Sequence, residues 1–413
     1  MKNPAQLLPT TRRDFLGYGV KGVGLLAFSR FAPSFLVESA YARTPAPESG
    51  RSILVLVQLA GGNDGLNTLV PHGDPAYRRL RPTIGVPDDQ LLKIDDHLAL
   101  HSACAPLHRL LQDGRLAIVQ NVGYPNPNRS HFRSTEIWES ASDANETLST
   151  GWLGRYFDNA CAGKPADPCG VHISNELPQT FVGEQPHSTF GLAPNDRGGR
   201  GGRSLALTEQ LLADGPDDPH HNAGFLRHTM MDALVTEKRF QRVLGAYRPS
   251  AEYPANPFAA SLRNVAALIA SGASTRVYFV SLGGFDTHAN QPNQHANLLR
   301  TLAEGLAAFQ RDLDAHKLND QVLTMTFSEF GRRPSENESR GTDHGTAAPL
   351  FVLGSGLKAG LHGTAPDLGV DRNQDLTFST DFRSVYATVL ERWLLADSAK
   401  VLGERHALSG FLR

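Results

Sequence analysis

Short, continuous apolar runs alternate along the chain with segments whose apolar residues recur every three or four positions. Continuous apolar runs are typical of strands that are covered on both faces of a sheet. We therefore predict a strand for each of the following runs. They are ILVLVQLA (Ile53–Ala60), LAIVQNVG (Leu116–Gly123), RVYFVSL (Arg276–Leu282), VLTMTF (Val322–Phe327) and PLFVLG (Pro349–Gly354).

The helical periodicity is clearest between the third and fourth of these runs, in the segment ANLLRTLAEGLAAFQRDLDA. A stripe with this spacing indicates an amphipathic helix packed on a sheet. Strand, helix and strand in this order imply a right-handed parallel crossover. The predicted fold class is α/β, a mostly parallel open sheet with helices on both faces. The stripe consists of Leu298, Leu302, Leu306, Phe309 and Leu313.

The N-terminal residues 1–42 read as an export signal and are excluded from the fold. Arg12 and Arg13 precede a modest apolar region, which ends in the small-x-small sequence at Ala40–Ala42. Lys21 interrupts that region, which is too weakly apolar for a membrane-spanning helix. This combination favours the twin-arginine route, so we expect a periplasmic or otherwise exported protein that meets the twin-arginine translocase. The mature chain then has no integral membrane segment.

Residues 43–413 are predicted to form one domain with a loop-rich insertion near 185–225, since nothing resembling a linker divides them. The net charge of −2 and the pI near 6.8 provide no basic surface for nucleic acid. Three cysteines are too few for a disulfide scaffold. Cys161 and Cys169 could close one small loop, and Cys104 is expected to be buried.

Polar side chains follow each of the first four predicted strands. They are Asp64 after the first, Ser130 and His131 after the second, Asp286 and His288 after the third, and Glu329 after the fourth. Open parallel sheets bind ligands beyond the carboxyl ends of their strands, so these loops are expected to converge on one crevice. A further pair, Asp343 and His344, comes directly before the fifth strand.

Carboxylates and neutral imidazoles are ligands for divalent cations, and such a set suits metal-assisted ester hydrolysis. Each residue also has a simpler interpretation. Asp64 after two glycines is a turn or helix-cap residue, Ser130 is a plain helix cap, and Glu329 forms a loop ion pair with Arg332. The shared placement at strand ends favours a common metal site over coincidence.

Five motifs carry a specific resemblance. They are VQLAGGNDGLNTLVP, VGYPNPNRSHFRSTEIWESA, SLGGFDTHANQ, TFSEFGRR and GTDHGTAAPLFVLG. In this order, the motifs resemble an uncharacterised family of exported bacterial proteins with a domain of unknown function. That family is similar in fold to alkaline phosphatases, sulfatases and cofactor-independent phosphoglycerate mutases. The likeness runs from about Ser52 to Trp393.

The resemblance implies roles for individual residues. Asp286, His288 and His344 would hold one metal, while Asp64 and Glu329 would share another. The cofactor would be one or two divalent cations, Zn, Mg, Mn or Ca. Four further residues are expected to contact the substrate. These are Asn63, His131, Arg332 and Asp343.

The resemblance makes Ser130, at a helix start, the candidate nucleophile of a hydrolase acting on small phosphate or sulfate esters. Ser134 and Thr135 lie one helical turn further on and stay open as alternatives. The rival function is a non-catalytic metal-binding or accessory protein that binds a cell-surface component. Phe330 favours the rival, because the alkaline phosphatase pattern has a histidine there, whereas the intact GGFDTH and TDHG motifs favour the enzyme.

Overall fold

The computed structural model of the protein describes residues 52–160, 167–174, 176–192 and 222–413. Its strands are β1 (Ile53–Ala60), β2 (Leu69–Val70), β3 (Leu91–Lys93), β4 (Ala99–His101), β5 (Leu116–Gly123), β6 (Gly170–Ile173), β7 (Thr189–Leu192), β8 (Val277–Gly283), β9 (Val322–Phe327), β10 (Ala348–Gly354), β11 (Gly360–His362) and β12 (Thr380–Asp381). All five predicted strands are present, as β1, β5, β8, β9 and β10. The ends of β8 and β10 differ from the prediction by a single residue.

The α-helices are α1 (Pro75–Leu80), α2 (Ala105–Gln112), α3 (His131–Ser140), α4 (Trp152–Ala160), α5 (Asn222–Ala246), α6 (Pro257–Ala270), α7 (Gln291–Ala315), α8 (Phe382–Thr388) and α9 (Ser398–Leu402). Short 3-10 turns and one π turn occupy Gly65–Asn67, Asp88–Gln90, Ser102–Cys104, Gln179–Phe181, Asn319–Gln321 and Val389–Trp393. The predicted amphipathic helix is the later part of α7. Its apolar stripe is buried as expected, except that Leu299 replaces Leu298.

The large sheet has the strand order β11-β5-β10-β9-β1-β8-β6-β7, and β12 also pairs with β5. The central strand β1 lies between β8 and β9 and is parallel to both. Strand β10 is antiparallel to its two neighbours β5 and β9. The other pairs of this sheet are parallel. The predicted α/β fold with a mostly parallel sheet is therefore confirmed, with β10 as the reversed strand.

Both faces of the central strands are buried, which explains their continuous apolar sequences. Successive side chains of a strand point to opposite faces. Leu54 and Leu56 of β1 belong to an apolar cluster that includes Trp152 and other residues of α3, α4 and α8. Val55 and Val57, on the opposite face of β1, are equally inaccessible. On the neighbouring strand β8 lies α6, which in turn packs against α7.

The chain divides into two compact units, Pro47–Asn195 with Arg248–Arg413, and Met1–Ala46 with Asp196–Tyr247. Of the second unit, the structure describes one helix, α5. The first unit holds the large sheet and a small antiparallel one of order β2-β4-β3. The predicted export signal, the centre of the predicted insertion and Cys161 lie outside the described residues. No helix in the described part of the chain is long and apolar enough to span a membrane.

Candidate metal centre

The reversal of β10 decides where its preceding loop lies. The loop that precedes a parallel strand lies at the amino edge of the sheet, away from the loops that follow the strands. Because β10 is antiparallel to β5 and β9, its start faces the carboxyl ends of the parallel strands, with Ala348 opposite Val122 near the end of β5. His344 therefore reaches the same edge as the loops that follow β1, β5, β8 and β9.

Three side chains from two of these loops meet at short distances. His288 Nε2 lies 2.9 Å from His344 Nε2. Asp286 Oδ1 lies 2.9 Å from His288 Nε2 and 3.1 Å from His344 Nε2. Bonds of about 2.0–2.1 Å in a tetrahedral zinc site place neighbouring ligand atoms about 3.3 Å apart. This triangle of donor atoms therefore has the size that a divalent cation requires.

His131, the first residue of α3, completes the group. Its Nε2 lies 3.5 Å from Asp286 Oδ2, and its ring centroid lies 4.5 Å from that of His344. Ligand atoms of His131, Asp286 and His344 all lie within 4.8 Å of one another. The sequence prediction assigned His131 to the substrate, whereas the structure brings it into the donor cluster. We call His131, Asp286, His288 and His344 the donor cluster.

The outer ring nitrogens support the same interpretation, because ligating histidines usually donate Nδ1–H to a neighbouring acceptor. His344 Nδ1 lies 2.8 Å from the carbonyl oxygen of Arg129, and His131 Nδ1 lies 2.9 Å from Glu329 Oε1. These contacts direct each Nε2 at the cluster. Burial also lowers the pKa of His344 below its ordinary value of 6.5, which keeps the ring neutral at pH 7. The residues present thus fit a bound cation.

Glu329 lies behind His131 and outside the donor cluster. Its carboxylate is buried, with 3 % of the side chain exposed, and accepts from the backbone N–H of Gly61 at 2.7 Å. The same oxygen accepts from His131 Nδ1. The prediction made Glu329 a metal ligand, but this geometry makes it the acceptor that orients His131.

Asp64 is neutralised by an arginine instead of joining the donor cluster. Both carboxylate oxygens accept from Arg81 Nη1, at 2.9 and 2.7 Å, and both side chains are fully buried. Burial alone would raise the pKa of Asp64, but the Arg81 guanidinium outweighs it and holds the pKa below its ordinary value of 3.8. Asp64 also caps the turn Gly65–Asn67 by accepting from Asn67 N. The simpler interpretation of Asp64 as a cap therefore describes the structure better than the ligand prediction.

Asn63 and Arg332, both predicted to contact the substrate, are buried and hydrogen-bonded to other parts of the chain, although Asn63 Nδ2 has no partner among the described residues. The Asn63 Oδ1 lies within hydrogen-bond distance of Thr68 Oγ1 and His295 Nε2, at 3.2 and 3.0 Å. Each of the three Arg332 nitrogens donates to a backbone carbonyl, and Arg332 Nη2 also donates to Asp286 Oδ1 at 2.7 Å. With no exposed side-chain surface, Arg332 positions the strand-end loops and Asp286 rather than a substrate.

Asp286 is the acidic member of the donor cluster and is open to solvent, with 47 % of its side chain exposed. Partial burial pushes its pKa upward, but hydrogen bonds from Arg332 and His344 lower the pKa to about 2. Asp286 is therefore ionised at neutral pH. Asp343, also exposed, accepts from Asn337 Nδ2 at 3.1 Å, and its Oδ1 lies 3.7 Å from His288 Nδ1.

The three candidate nucleophiles differ in access. Ser130 is exposed at the cap position of α3, and its side chain makes no capping hydrogen bond. Ser134 is fully buried, with Oγ 2.8 Å from Tyr124 Oη and bonded to the carbonyl oxygen of Glu329. Thr135 is half-buried, one turn into the helix. The structure thus removes Ser134 from the candidates and leaves Ser130 the most accessible.

Phe330 was noted in the sequence for the histidine that it replaces, whereas its contacts with the donor cluster, the partner of Asp64 and the close approach at Gly61 were not predicted. Phe330 is buried beside the donor cluster, with its ring centroid 4.9 Å from that of His131 and 4.5 Å from that of His344. Arg81, in the run YRRLRP, had no pattern to distinguish it from its charged neighbours. Gly61 (φ +118°) lies so close to the neighbouring loop that a Cβ at this position would come within 2.4 Å of Asp286 N. This contact explains why the sequence GGND has a glycine at position 61.

Residues 51–403 match the family described as protein of unknown function, DUF1501. Because the match spans most of the sequence, the chain belongs to this family, as the motif resemblance predicted. No curated protein sequence matches the chain.

Several solved structures are similar over most of the chain. Ps i-CgsB in complex with k-i-k-neocarrahexaose is 9% identical, with a TM-score of 0.36, and the match covers 86% of this chain and 73% of that one. The C-terminal periplasmic domain of EcEptC from Escherichia coli, in complex with Zn, is 12% identical, with a TM-score of 0.33 and coverage of 75% and 74%. The PsFucS1 sulfatase from Pseudoalteromonas sp. is 10% identical, with a TM-score of 0.34 and coverage of 90% and 72%. At such identities and scores the likeness assigns no role to any residue of this chain.

Proposed function

We propose that the protein is a metal-dependent hydrolase of phosphate or sulfate esters. The observation that carries this proposal is the donor cluster, in which three imidazole Nε2 atoms surround one ionised carboxylate at the carboxyl edge of the sheet. His131, Asp286, His288 and His344 would hold one divalent cation. When bound, such a cation supplies Lewis acidity and neutralises charge on an anionic ester.

The groups of the chain itself supply the nucleophile and its placement. Ser130 follows Arg129, whose carbonyl binds His344, and precedes His131 of the donor cluster. Its exposed hydroxyl, free of a capping bond, would attack phosphorus or sulfur as the bond to the alcohol oxygen breaks, and the serine proton would leave with the alcohol. Water would then hydrolyse the serine ester, which restores the Ser130 hydroxyl and releases the inorganic anion. Backbone N–H groups at the start of α3 favour the anionic ester.

A non-catalytic, metal-binding role is the second candidate. The pairing of Asp64 with Arg81 and of Glu329 with His131 supports it, because both predicted ligands of a second cation are already satisfied. In this alternative, the donor cluster would bind one cation and help the protein recognise a cell-surface component. Either function suits a protein exported by the twin-arginine route, which we propose from the sequence of residues 1–42.

The deciding experiment combines metal analysis with an ester screen. The purified full chain is loaded with Zn, Mg, Mn or Ca in turn, its metal content is measured, and phosphate and sulfate esters are offered. We expect about one ion per chain and turnover that His288→Ala abolishes. The matched control is His108→Ala, a half-buried histidine outside the donor cluster whose Nε2 lies 3.1 Å from the carbonyl oxygen of Lys93. Metal binding without turnover would support the binding role, and absence of metal would overturn both.

A further inference from the structure

Gln291, the first residue of α7, is fully buried and bonds to three separate segments around the donor cluster. Its Oε1 accepts from Thr287 Oγ1 at 3.0 Å and from Thr342 Oγ1 at 2.7 Å. Its Nε2 donates to Asp64 Oδ2. One side-chain amide thus connects the loops that follow β1 and β8 with the loop that precedes β10.

The chemistry of the partners fixes the direction of these bonds. A carboxylate ionised by its pairing with Arg81 only accepts, so the NH₂ group of Gln291 must face Asp64. The amide oxygen then faces the two threonine hydroxyls, and both hydroxyls must donate. Thr287 and Thr342 are buried, with 1% and 0% exposure, so water does not compete for these bonds. The arrangement has one hydrogen-bonding pattern and no equivalent alternative.

Both threonines stand within the two motifs that supply the donor cluster. Thr287 separates Asp286 from His288, and Thr342 lies two residues before His344. The two loops are also joined directly, because Thr342 N donates to the carbonyl of Thr287 at 3.3 Å. The shared bond to Gln291 therefore fixes one loop relative to the other, across the gap where the donor atoms meet.

We propose that Gln291 is a positioning residue that, through Thr287 and Thr342, holds the two donor-bearing loops at the separation needed to bind a divalent cation. This inference rests on the proposed metal site. The inference gives a structural role to Thr287 in the DTH motif and to Thr342 in the TDHG motif. Neither threonine belongs to the donor cluster. Removing an outer partner of a metal ligand commonly reduces affinity by about 10–100-fold.

The test replaces the hydroxyls and leaves Gln291 in place, because a variant of Gln291 would strip a bond from the buried Asp64. Thr287→Val and Thr342→Val remove one donor each at nearly constant volume, and Thr287→Ser and Thr342→Ser restore it. The matched control is Thr388→Val on α8, whose buried hydroxyl donates to the carbonyl of Ser384 at 2.7 Å. Zinc affinity is measured by competition with a chelator, and amide hydrogen exchange is measured on the metal-free proteins.

We expect each valine variant to bind zinc at least tenfold more weakly, and each serine variant to stay within about threefold of wild type. Exchange in both loops, 286–288 and 342–344, should accelerate in either valine variant, because each loop is held through the same amide. Thr388→Val should alter neither readout. Valine variants with wild-type affinity and exchange, or serine variants as weak as valine, would overturn the inference. If wild-type protein binds no zinc, the proposed metal site fails, and the exchange measurement alone decides on the positioning role.

Discussion

His288 and His344 are 56 residues apart in the chain, yet their Nε2 atoms lie 2.9 Å apart at one edge of the sheet. One follows the parallel strand β8 and the other precedes the antiparallel strand β10. Two imidazoles at this distance, with Asp286 2.9 and 3.1 Å from them, form a group of the size and chemistry that the proposed cation would need. The predictions below start from this relationship and from the buried groups around it.

The first prediction concerns the donor cluster. His131→Ala, His288→Ala and His344→Ala should each lower the zinc content at limiting metal, because each removes a nitrogen donor from one set. Glu329→Gln should weaken binding less, since it only alters the acceptor that orients His131. Elemental analysis after gel filtration measures the content. Unchanged content in all three alanine variants, with the fold intact by circular dichroism, would mean that the histidines are structural.

The second prediction concerns Ser130. Ser130→Ala should abolish ester turnover while changing the free energy of unfolding by less than about 0.5 kcal/mol, because the hydroxyl makes no capping bond. Ser134→Ala on the same helix should instead cost about 1–3 kcal/mol, since it removes the buried hydrogen bonds of Ser134 Oγ with Tyr124 Oη and with the carbonyl oxygen of Glu329. Turnover and urea unfolding of both variants measure these effects. Full activity in Ser130→Ala would exclude it as the nucleophile.

The third prediction separates Asp64 from the metal ligands. Asp64→Ala should reduce the free energy of unfolding by about 3–5 kcal/mol, because Arg81 is left as an uncompensated buried charge. At saturating zinc, the variant should still bind as many ions as wild type. The double variant Asp64→Ala with Arg81→Met should lose less stability than the two single variants summed. A lower zinc stoichiometry at saturation would instead return Asp64 to the ligand set.

The fourth prediction is a pH dependence of stability from α3. Burial raises the pKa of Glu139 to about 7, from its ordinary value of 4.5. Between these values the folded chain keeps a proton that the unfolded chain has released, so stability falls as pH rises from about 4.5 to about 7 and then levels off. The total loss in the free energy of unfolding is of the order of 3 kcal/mol.

Glu139→Gln should remove this decline and should be more stable than wild type at pH 8. The decline is measured as the change in the urea unfolding midpoint between pH 5 and pH 8. Glu136→Gln, on the same helix with 25% of its side chain exposed in a pair with Arg133, is the control and should keep the wild-type slope. Equal slopes in the Glu139 variant and wild type would contradict the prediction.

The fifth prediction concerns export. Changing both Arg12 and Arg13 to Lys should leave the precursor in the cytoplasm, because the twin-arginine route requires that pair ahead of a weakly apolar segment. Cell fractionation with detection of the processed form measures the outcome. Normal processing near Ala42 in cells that lack the twin-arginine translocase would show that another route is used.

The sequence by itself determined the fold class and five strands of the large sheet, β1, β5, β8, β9 and β10. Continuous apolar runs such as Ile53–Ala60 and Val322–Phe327 must be buried on both faces, and that requirement is local to each run. The sequence also placed Asp286 and His288 at the carboxyl edge of the sheet, because a loop that follows a parallel strand lies there.

The partners of the remaining polar residues were decided by tertiary structure alone. Asp64 and Glu329 have the same appearance in sequence as Asp286, yet Arg81 neutralises the first and His131 engages the second, 17 and 198 positions away. Nothing in the apolar run of β10 marks its reversal, which alone brings His344 to the other donors. A strand's burial depends on its own residues, whereas its direction and the charge that satisfies a buried carboxylate depend on which distant segments pack beside it.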